Sequence, residues 1–231
     1  MSDQTTPGTA PITSTSEHYD LMIDEIDDPT HPVTDPFFDE GWMRAWMEQA
    51  DGPAFWQALG DVRDQVVLEV GVGTGRVGRR LLELGCAQLT GIDVSPKTLE
   101  RARRNLAAYP NLELLLCNVE EFTREGAFDV AYCVWAFFHI ADQRCALANI
   151  VASLKPGGRL VLSLETVDAW LDYGPRRIRQ YPVPQDVVVR WLEELHCHVD
   201  PPVVVYDAFA LEDTPAPIIT TVVKATTPAS R

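Results

Sequence analysis

The sequence predicts an α/β fold: a doubly wound, largely parallel sheet with helices on both faces, preceded by a helical extension. Three observations predict it. From Val66 onward, short apolar runs alternate with helix-length segments in which apolar residues recur every three or four positions. The first run, Val66-Val67-Leu68-Glu69-Val70, passes into Gly71-Val72-Gly73-Thr74-Gly75-Arg76, with glycine at every second position, and a helix pattern starts at once. Two further apolar runs, near residues 203–209 and 218–223, close the chain as strands.

The elements follow in order. Residues 1–16 are rich in Ser, Thr and Pro with almost nothing to bury, and are expected to be disordered. Residues 17–60 form an extension with helices expected over 17–26, 40–50 and 53–59, interrupted by the proline-rich run 29–36. The main domain is expected over 61–226, and residues 227–231 as a frayed tail. In its first turn, glycine lets the backbone bend sharply and press against a ligand with no Cβ in the way. The helix that follows (Val77, Leu81, Leu82, Leu84, closed by Gly85) points its N-terminal amides and dipole at that ligand. A second strand, Leu89-Thr90-Gly91-Ile92-Asp93, ends in an acid, and Ser95-Pro96 supply an N-cap and a first-turn proline for a helix ending near Tyr109-Pro110. Leu112–Leu116 is the third strand, leading to Cys117-Asn118-Val119-Glu120, and the fourth runs from Phe128 to Trp135. Leu154-Lys155-Pro156-Gly157-Gly158-Arg159 turns into a fifth, followed by an irregular segment over 167–183 and a helix over 185–195.

Composition narrows the function. The chain has 231 residues, 46% hydrophobic, and a formal net charge of −15, with 34 acidic against 19 basic side chains. Fourteen of those acids but only Arg44 and Arg63 among the bases precede residue 66, so the extension carries most of the charge. Nucleic acids and anionic membranes would repel such a surface. No apolar run approaches the roughly 20 residues that span a bilayer, and no basic and apolar leader opens the chain. Cys86, Cys117, Cys133, Cys145 and Cys197 form no C-x-x-C pair and fall mostly in apolar runs, as in a reduced cytoplasmic protein. His196-Cys197-His198 with Asp200 has metal-ligand residue types, but no second group at matching spacing, so no metal is expected.

The glycine spacing decides between cofactors. A nicotinamide loop, G-x-G-x-x-G, needs glycine where Arg76 stands. Glu69-x-Gly71-x-Gly73-x-Gly75 instead resembles motif I of the class I S-adenosylmethionine-dependent methyltransferases, and Asp93, Cys117-Asn118-Val119 and Lys155-Pro156-Gly157-Gly158-Arg159 follow in that family's order. The resemblance covers roughly residues 60–165 as ordered motifs. It implies a Rossmann-like, doubly wound, seven-stranded sheet, mostly parallel with a terminal antiparallel strand, under a helical N-terminal lid. It implies S-adenosylmethionine as cofactor and methyl transfer to an O, N or C nucleophile of a small-molecule acceptor, in a monomer or homodimer.

The family's site residues carry over by position. Glu69, Gly71, Gly73 and Gly75 would cradle the methionine end and ribose, and Asp93 would accept the ribose hydroxyls. Val94 would pack on the adenine, with Asn118 and Val119 at its edge. The family usually has Asp where Asn118 stands; an amide oxygen still accepts a hydrogen bond. Trp135 and His139, just after the fourth strand, would border the methyl group. His139 either takes the acceptor's proton or orders its loop. Acceptor selection would come from the extension, through Tyr19 and Trp42 (with Trp46 on the same helix face), and from the segment holding Trp170, Tyr173, Arg176, Arg177 and Arg179. Three arginines in one loop can clamp an anionic acceptor or simply face solvent. Two other readings stay open: a non-catalytic cofactor-binding regulatory domain, and a nicotinamide-dependent oxidoreductase.

Overall fold

In the computed structural model, residues 10–25, 45, 47–49, 51–208 and 217–229 are described. Two elements precede the domain core, the short strand β1 (Ile12–Thr13) and helix α1 (Thr15–Asp24), and α2 (Pro53–Leu59) packs against it. There follow β2 (Val66–Val70), α3 (Arg76–Glu83), β3 (Gln88–Asp93), α4 (Pro96–Asn105), β4 (Leu112–Leu116) and β5 (Phe128–Cys133). After a 3₁₀ turn at Phe137–His139 come α5 (Gln143–Ser153), β6 (Leu154–Glu165), β7 (Trp170–Asp172) and β8 (Arg177–Arg179). The chain continues through α6 (Gln185–Glu194), β9 (His198–Val199), β10 (Val203–Tyr206) and β11 (Ile218–Thr226).

The main sheet runs β4-β3-β2-β5-β6-β11-β10, with β9 also on β11. Neighbours from β4 to β6 pair in parallel, whereas β11 is antiparallel to β6, β9 and β10. Seven strand positions result. β9 and β10 lie on the same partner and are separated by Pro201-Pro202, which have no N–H to donate to a ladder. Alternation along the strands feeds two cores. Leu68, Ala131 and Leu160 face one, with Phe137, Ile150 and Leu192. Val67, Val130, Tyr132 and Val161 face the other, with Phe55, Leu59 and Leu81. Because β3 lies on one side of β2 and β5 on the other, the strand order reverses at β2. Such a reversal leaves a crevice at the carboxyl ends of the strands.

Several expectations need correction. Residues 12–16 belong to the ordered fold, since β1 pairs in parallel with β8 (Ile12 opposite Arg177) and Ser14 Oγ caps α1 by accepting from Glu17 N at 3.2 Å. Composition shows only that this segment has little to bury; its pairing partner lies far along the chain. The segment over 167–183 is likewise regular, with β7 and β8 forming an antiparallel pair. At the C-terminal end Thr227 is buried, donating through N to Gly158 O at 2.9 Å and through Oγ1 to Lys155 O at 2.7 Å. The expected helix over 40–50 lies largely outside the described residues, as do the run 29–36 and both Trp42 and Trp46.

Helix α1 is fastened to the core at two places. At one, Ser16 Oγ donates to Val94 O (2.8 Å), while Asp20 Oδ1 accepts from Ser95 Oγ (2.6 Å) and Lys97 N (3.0 Å) at the start of α4. At the other, the buried Arg176 guanidinium meets both Glu25 carboxylate oxygens at 2.9 Å, and its Nε donates to His18 Nδ1 at 2.9 Å. Burial, and then the Arg176 cation, push His18 down to about 4, so it stays neutral and accepts that bond. Arg176→Met is expected to remove the charge-assisted bonds to Glu25 and His18 and cost about 1–3 kcal/mol of unfolding free energy, read by urea denaturation. A midpoint equal to wild type would show that the latch contributes nothing to stability.

Candidate active site

A cavity of about 820 Å³ occupies the crevice at the ends of β2, β3 and β5, roofed by β1 and α1. Its floor is a close approach. Gly71 has φ +75°, and a Cβ there would lie 2.4 Å from Ala136 Cβ in the loop after β5. Gly73, at φ +56°, has nothing within 4 Å of its Cβ position, so a side chain would project into open space. Gly75 is the N-cap of α3. The loop is held by Asp93, whose Oδ2 accepts from Gly73 N at 2.9 Å and whose Oδ1 accepts from Ser95 N at 3.0 Å. Burial raises the Asp93 pKa, and those hydrogen bonds oppose the shift.

Glu69 lies on the same wall beneath α3. A Cβ on Gly78 would sit 2.5 Å from Glu69 Oε2, so this glycine is what lets the helix close over the carboxyl. Oε2 is buried with no hydrogen-bond partner of good geometry among the described residues, and burial pushes the group up to about 8 against the pull of the nearby Tyr132 hydroxyl and Arg76. Arg76 also lines the cavity and is ion-paired to the buried Asp51. Val94, Asn118 and Val119 line the far end. The Asn118 side chain also makes a local turn, since its Oδ1 accepts from Glu120 N at 3.1 Å. Glu120, absent from the sequence prediction, adds a carboxylate to this end of the wall.

Trp135 lines the cavity in a left-handed conformation, φ +56°, uncommon for a bulky residue. Its amide donates to Ser163 Oγ at 3.1 Å, and that hydroxyl donates to Glu165, whose carboxyl burial pushes up to about 8. In the following 3₁₀ turn, His139 Nε2 lies 2.8 Å from the Tyr19 hydroxyl of α1. Burial, with a smaller contribution from His18, pushes His139 down to about 3, and burial raises Tyr19 well above its usual value. Both groups are neutral near pH 7.

The rest of the lining is largely apolar, through Ile12, Met22, Ile23, Met47 and Phe138, with the hydroxyl run Thr13, Ser14, Thr15 and Ser16 and with Arg179 and Tyr181. Tyr19, Met22 and Ile23 share one helix face by their i, i+3 and i+4 spacing, a signal that could have found the two aliphatic residues. Three expected acceptor contacts are corrected. Arg176 is consumed by Glu25 and His18. Tyr173 packs edge-on against His18, ring centroids 5.0 Å apart, rather than facing the cavity. Trp170 does not line the cavity either; its ring supports Arg177 and Arg179, at 5.0 and 5.1 Å. Just after β9, Asp200 pairs with Lys224 Nζ at 2.8 Å.

Residues 67–158 match the model of a family described as a methyltransferase domain. An O-methyltransferase of Aspergillus nomiae is 32% identical over 122 residues, covering 51% of this chain and 52% of that protein. A demethylmenaquinone methyltransferase of Tropheryma whipplei is 32% identical over 135 residues, 58% and 52% of the two chains. The chain thus spans about half the length of these curated relatives. In fold it is similar to N-methyltransferase NodS of Bradyrhizobium japonicum, crystallised with S-adenosylhomocysteine: TM-score 0.63, 22% identity, covering 91% of this chain and 98% of that one.

The buried acids and histidines fix a pH dependence of stability. Glu69 and Glu165 keep their protons when folded up to about pH 8, against an ordinary 4.5, so their contribution fades as pH rises through that interval. His18 and His139, lowered from 6.5 to about 4 and about 3, act in the opposite sense, favouring the fold increasingly as pH climbs toward 6.5. The two pairs offset each other between 4.5 and 6.5, and Asp51 and Asp93, also raised by burial, tilt that plateau downward. Thermal melts of the ligand-free protein should therefore show a loss of stability from pH 6.5 to 8. Glu165→Gln should remove roughly half of that loss; an unaltered slope would mean that Glu165 is already ionised in the fold.

Proposed function

We propose, on the match of residues 67–158 to the model of a methyltransferase domain, that the protein is an S-adenosylmethionine-dependent methyltransferase acting on a small molecule. The observation that carries this is the two-part cavity, whose acidic, glycine-walled end lies at the strand-order reversal and whose apolar end lies under α1. The residues fit the cofactor. Gly73 leaves room where any side chain would intrude, Glu69 Oε2 is a buried acceptor on the cavity wall with no partner of good geometry among the described residues, and Asp93 has further lone pairs for ribose hydroxyls. The cofactor would supply a methyl group on a sulfonium sulfur, so that the acceptor–carbon bond forms as the carbon–sulfur bond breaks and its electron pair stays on sulfur.

The chain's own task is alignment and exclusion of water. Gly71 and Trp135 set the floor between the two ends, and α1 closes the roof. The acceptor's proton passes to solvent or is already lost before transfer. His139 is a positioning residue in this reading, because its Nε2 is engaged with Tyr19 and its burial resists a positive charge. The absence of any described helix long and apolar enough to cross a membrane, and the five unpaired cysteines, are compatible with a cytoplasmic enzyme.

Calorimetric titration with S-adenosylhomocysteine, beside NAD and NADP, tests the cofactor. Gly73→Val should stay folded and lose binding, and Asp93→Asn should weaken binding by about 1–3 kcal/mol. Preference for a nicotinamide cofactor would overturn the proposal. For the chemistry, His139→Ala should lower kcat only a few-fold and leave the pH–rate profile without a missing limb between pH 5 and 8. A loss of about a hundredfold together with a vanished ionisation would make His139 a general base instead.

A further inference from the structure

Of the three arginines between β7 and the end of β8, the fold consumes two. Arg176 is held by Glu25 and His18, and Arg177 Nε lies 2.8 Å from Asp172 Oδ1. Arg179 has no carboxylate partner among the described residues, and it alone of the three lines the cavity. It is also held in place. It stands directly opposite Trp170 across the β7–β8 ladder, with its guanidinium carbon 5.1 Å from the Trp170 ring and 5.7 Å from the Tyr181 ring. The backbone after it is fixed as well: Gln180 N donates to Ala169 O at 3.0 Å, and Tyr181 N to Phe138 O at 2.8 Å. The second of these bonds ties the arginine strand to the turn that carries His139.

We infer that Arg179 anchors a carboxylate of the acceptor, so that the substrate is an organic acid with an apolar body; this rests on the cavity being the methyl-acceptor site. Three points support it. Two flanking rings support the exposed guanidinium without neutralising it, leaving its planar edge free for a bidentate oxyanion. The other carboxyl and guanidinium groups on the cavity wall among the described residues, Glu69, Arg76, Asp93 and Glu120, belong to the cofactor end; Glu69 holds its proton and Arg76 is already paired. The rest of the lining outside the cofactor end carries no further charge: Ile12, Met22, Phe138 and Tyr181 are apolar or aromatic, and Thr13 and Ser14 on the neighbouring β1 add neutral hydroxyls. A single unpaired cation balances a carboxylate; a phosphate dianion would call for a second.

The test uses the full chain, with and without S-adenosylhomocysteine. Benzoate, 2-naphthoate and decanoate are titrated calorimetrically, each beside its primary amide. At least one carboxylate should bind about tenfold more tightly than its amide, the size of a charge-assisted bidentate pair at a partly exposed site. Arg179→Gln should erase that preference and Arg179→Lys retain part of it, with affinity for S-adenosylhomocysteine unchanged in both. Amides that bind as well as their acids throughout the panel, or a preference that survives Arg179→Gln, would overturn the inference. Failure to bind S-adenosylhomocysteine would count against the proposed function instead, because the carboxylate comparison is also made on the unloaded protein.

Discussion

Two loops meet at the floor of the cavity with no room for a side chain between them. The 2.4 Å separation that a Cβ on Gly71 would have from Ala136 Cβ fixes how the end of β2 sits against the end of β5. Both sides of that contact are braced. On one side, Asp93 ties the glycine loop to the start of α4 by accepting from Gly73 and Ser95. On the other, Ser163 takes the Trp135 amide and holds the following loop in a left-handed turn. A reaction that depends on collinear atoms tolerates little slack, so rigid positioning of this kind is where such a site invests its stability.

The roof is fastened unequally. Lys97 and Asp24 make a 2.6 Å ion pair, but both side chains are about half exposed, and such pairs contribute little in water. The Arg176 latch is different, because its guanidinium is 5% exposed and bonded through three nitrogens. Removing it leaves a carboxylate and a buried imidazole without their partner. The seating of α1, and therefore of Tyr19 and the aliphatic wall, is set from both sides, by the Ser16 and Asp20 hydrogen bonds to residues 94–97 and by the buried Arg176 latch beside β8. This also explains why β1 exists, since it extends the β7–β8 pair and brings residues 12 to 24 over the cavity.

Local signals foretold the sheet. Leu112–Leu116 was readable to the residue because a five-residue run with four leucines between turn formers leaves little choice of element, and Pro53 at the first position of α2 marked that helix. The glycine loop and Asp93 were legible for the same reason: their conformational demands lie within a few residues of sequence. What escaped depends on distance along the chain. The pairing of Ile12 with Arg177 and the burial of Thr227 against Gly158 are invisible to composition. Nor could the sequence separate the three arginines, because their fates are decided by Glu25, Asp172 and the cavity, none of which spacing reveals.

The charge of the whole chain and the charge of its cavity point in opposite directions. A net −15 repels an organic acid at long range. Yet exposed charges more than about 8 Å away are largely screened at physiological ionic strength, so the acidic extension weakens capture at long range more than contact at the site. Within the cavity the nearest acids are restrained, since Glu69 is buried and holds its proton to about pH 8, and the Asp93 carboxylate is already covered by backbone amides. Opposing local charge is therefore scarce around Arg179, and two aromatic rings provide the seat that a carboxylate would otherwise occupy. The acidic surface and the arginine act at different ranges, and the arginine governs the one at which an acceptor is oriented.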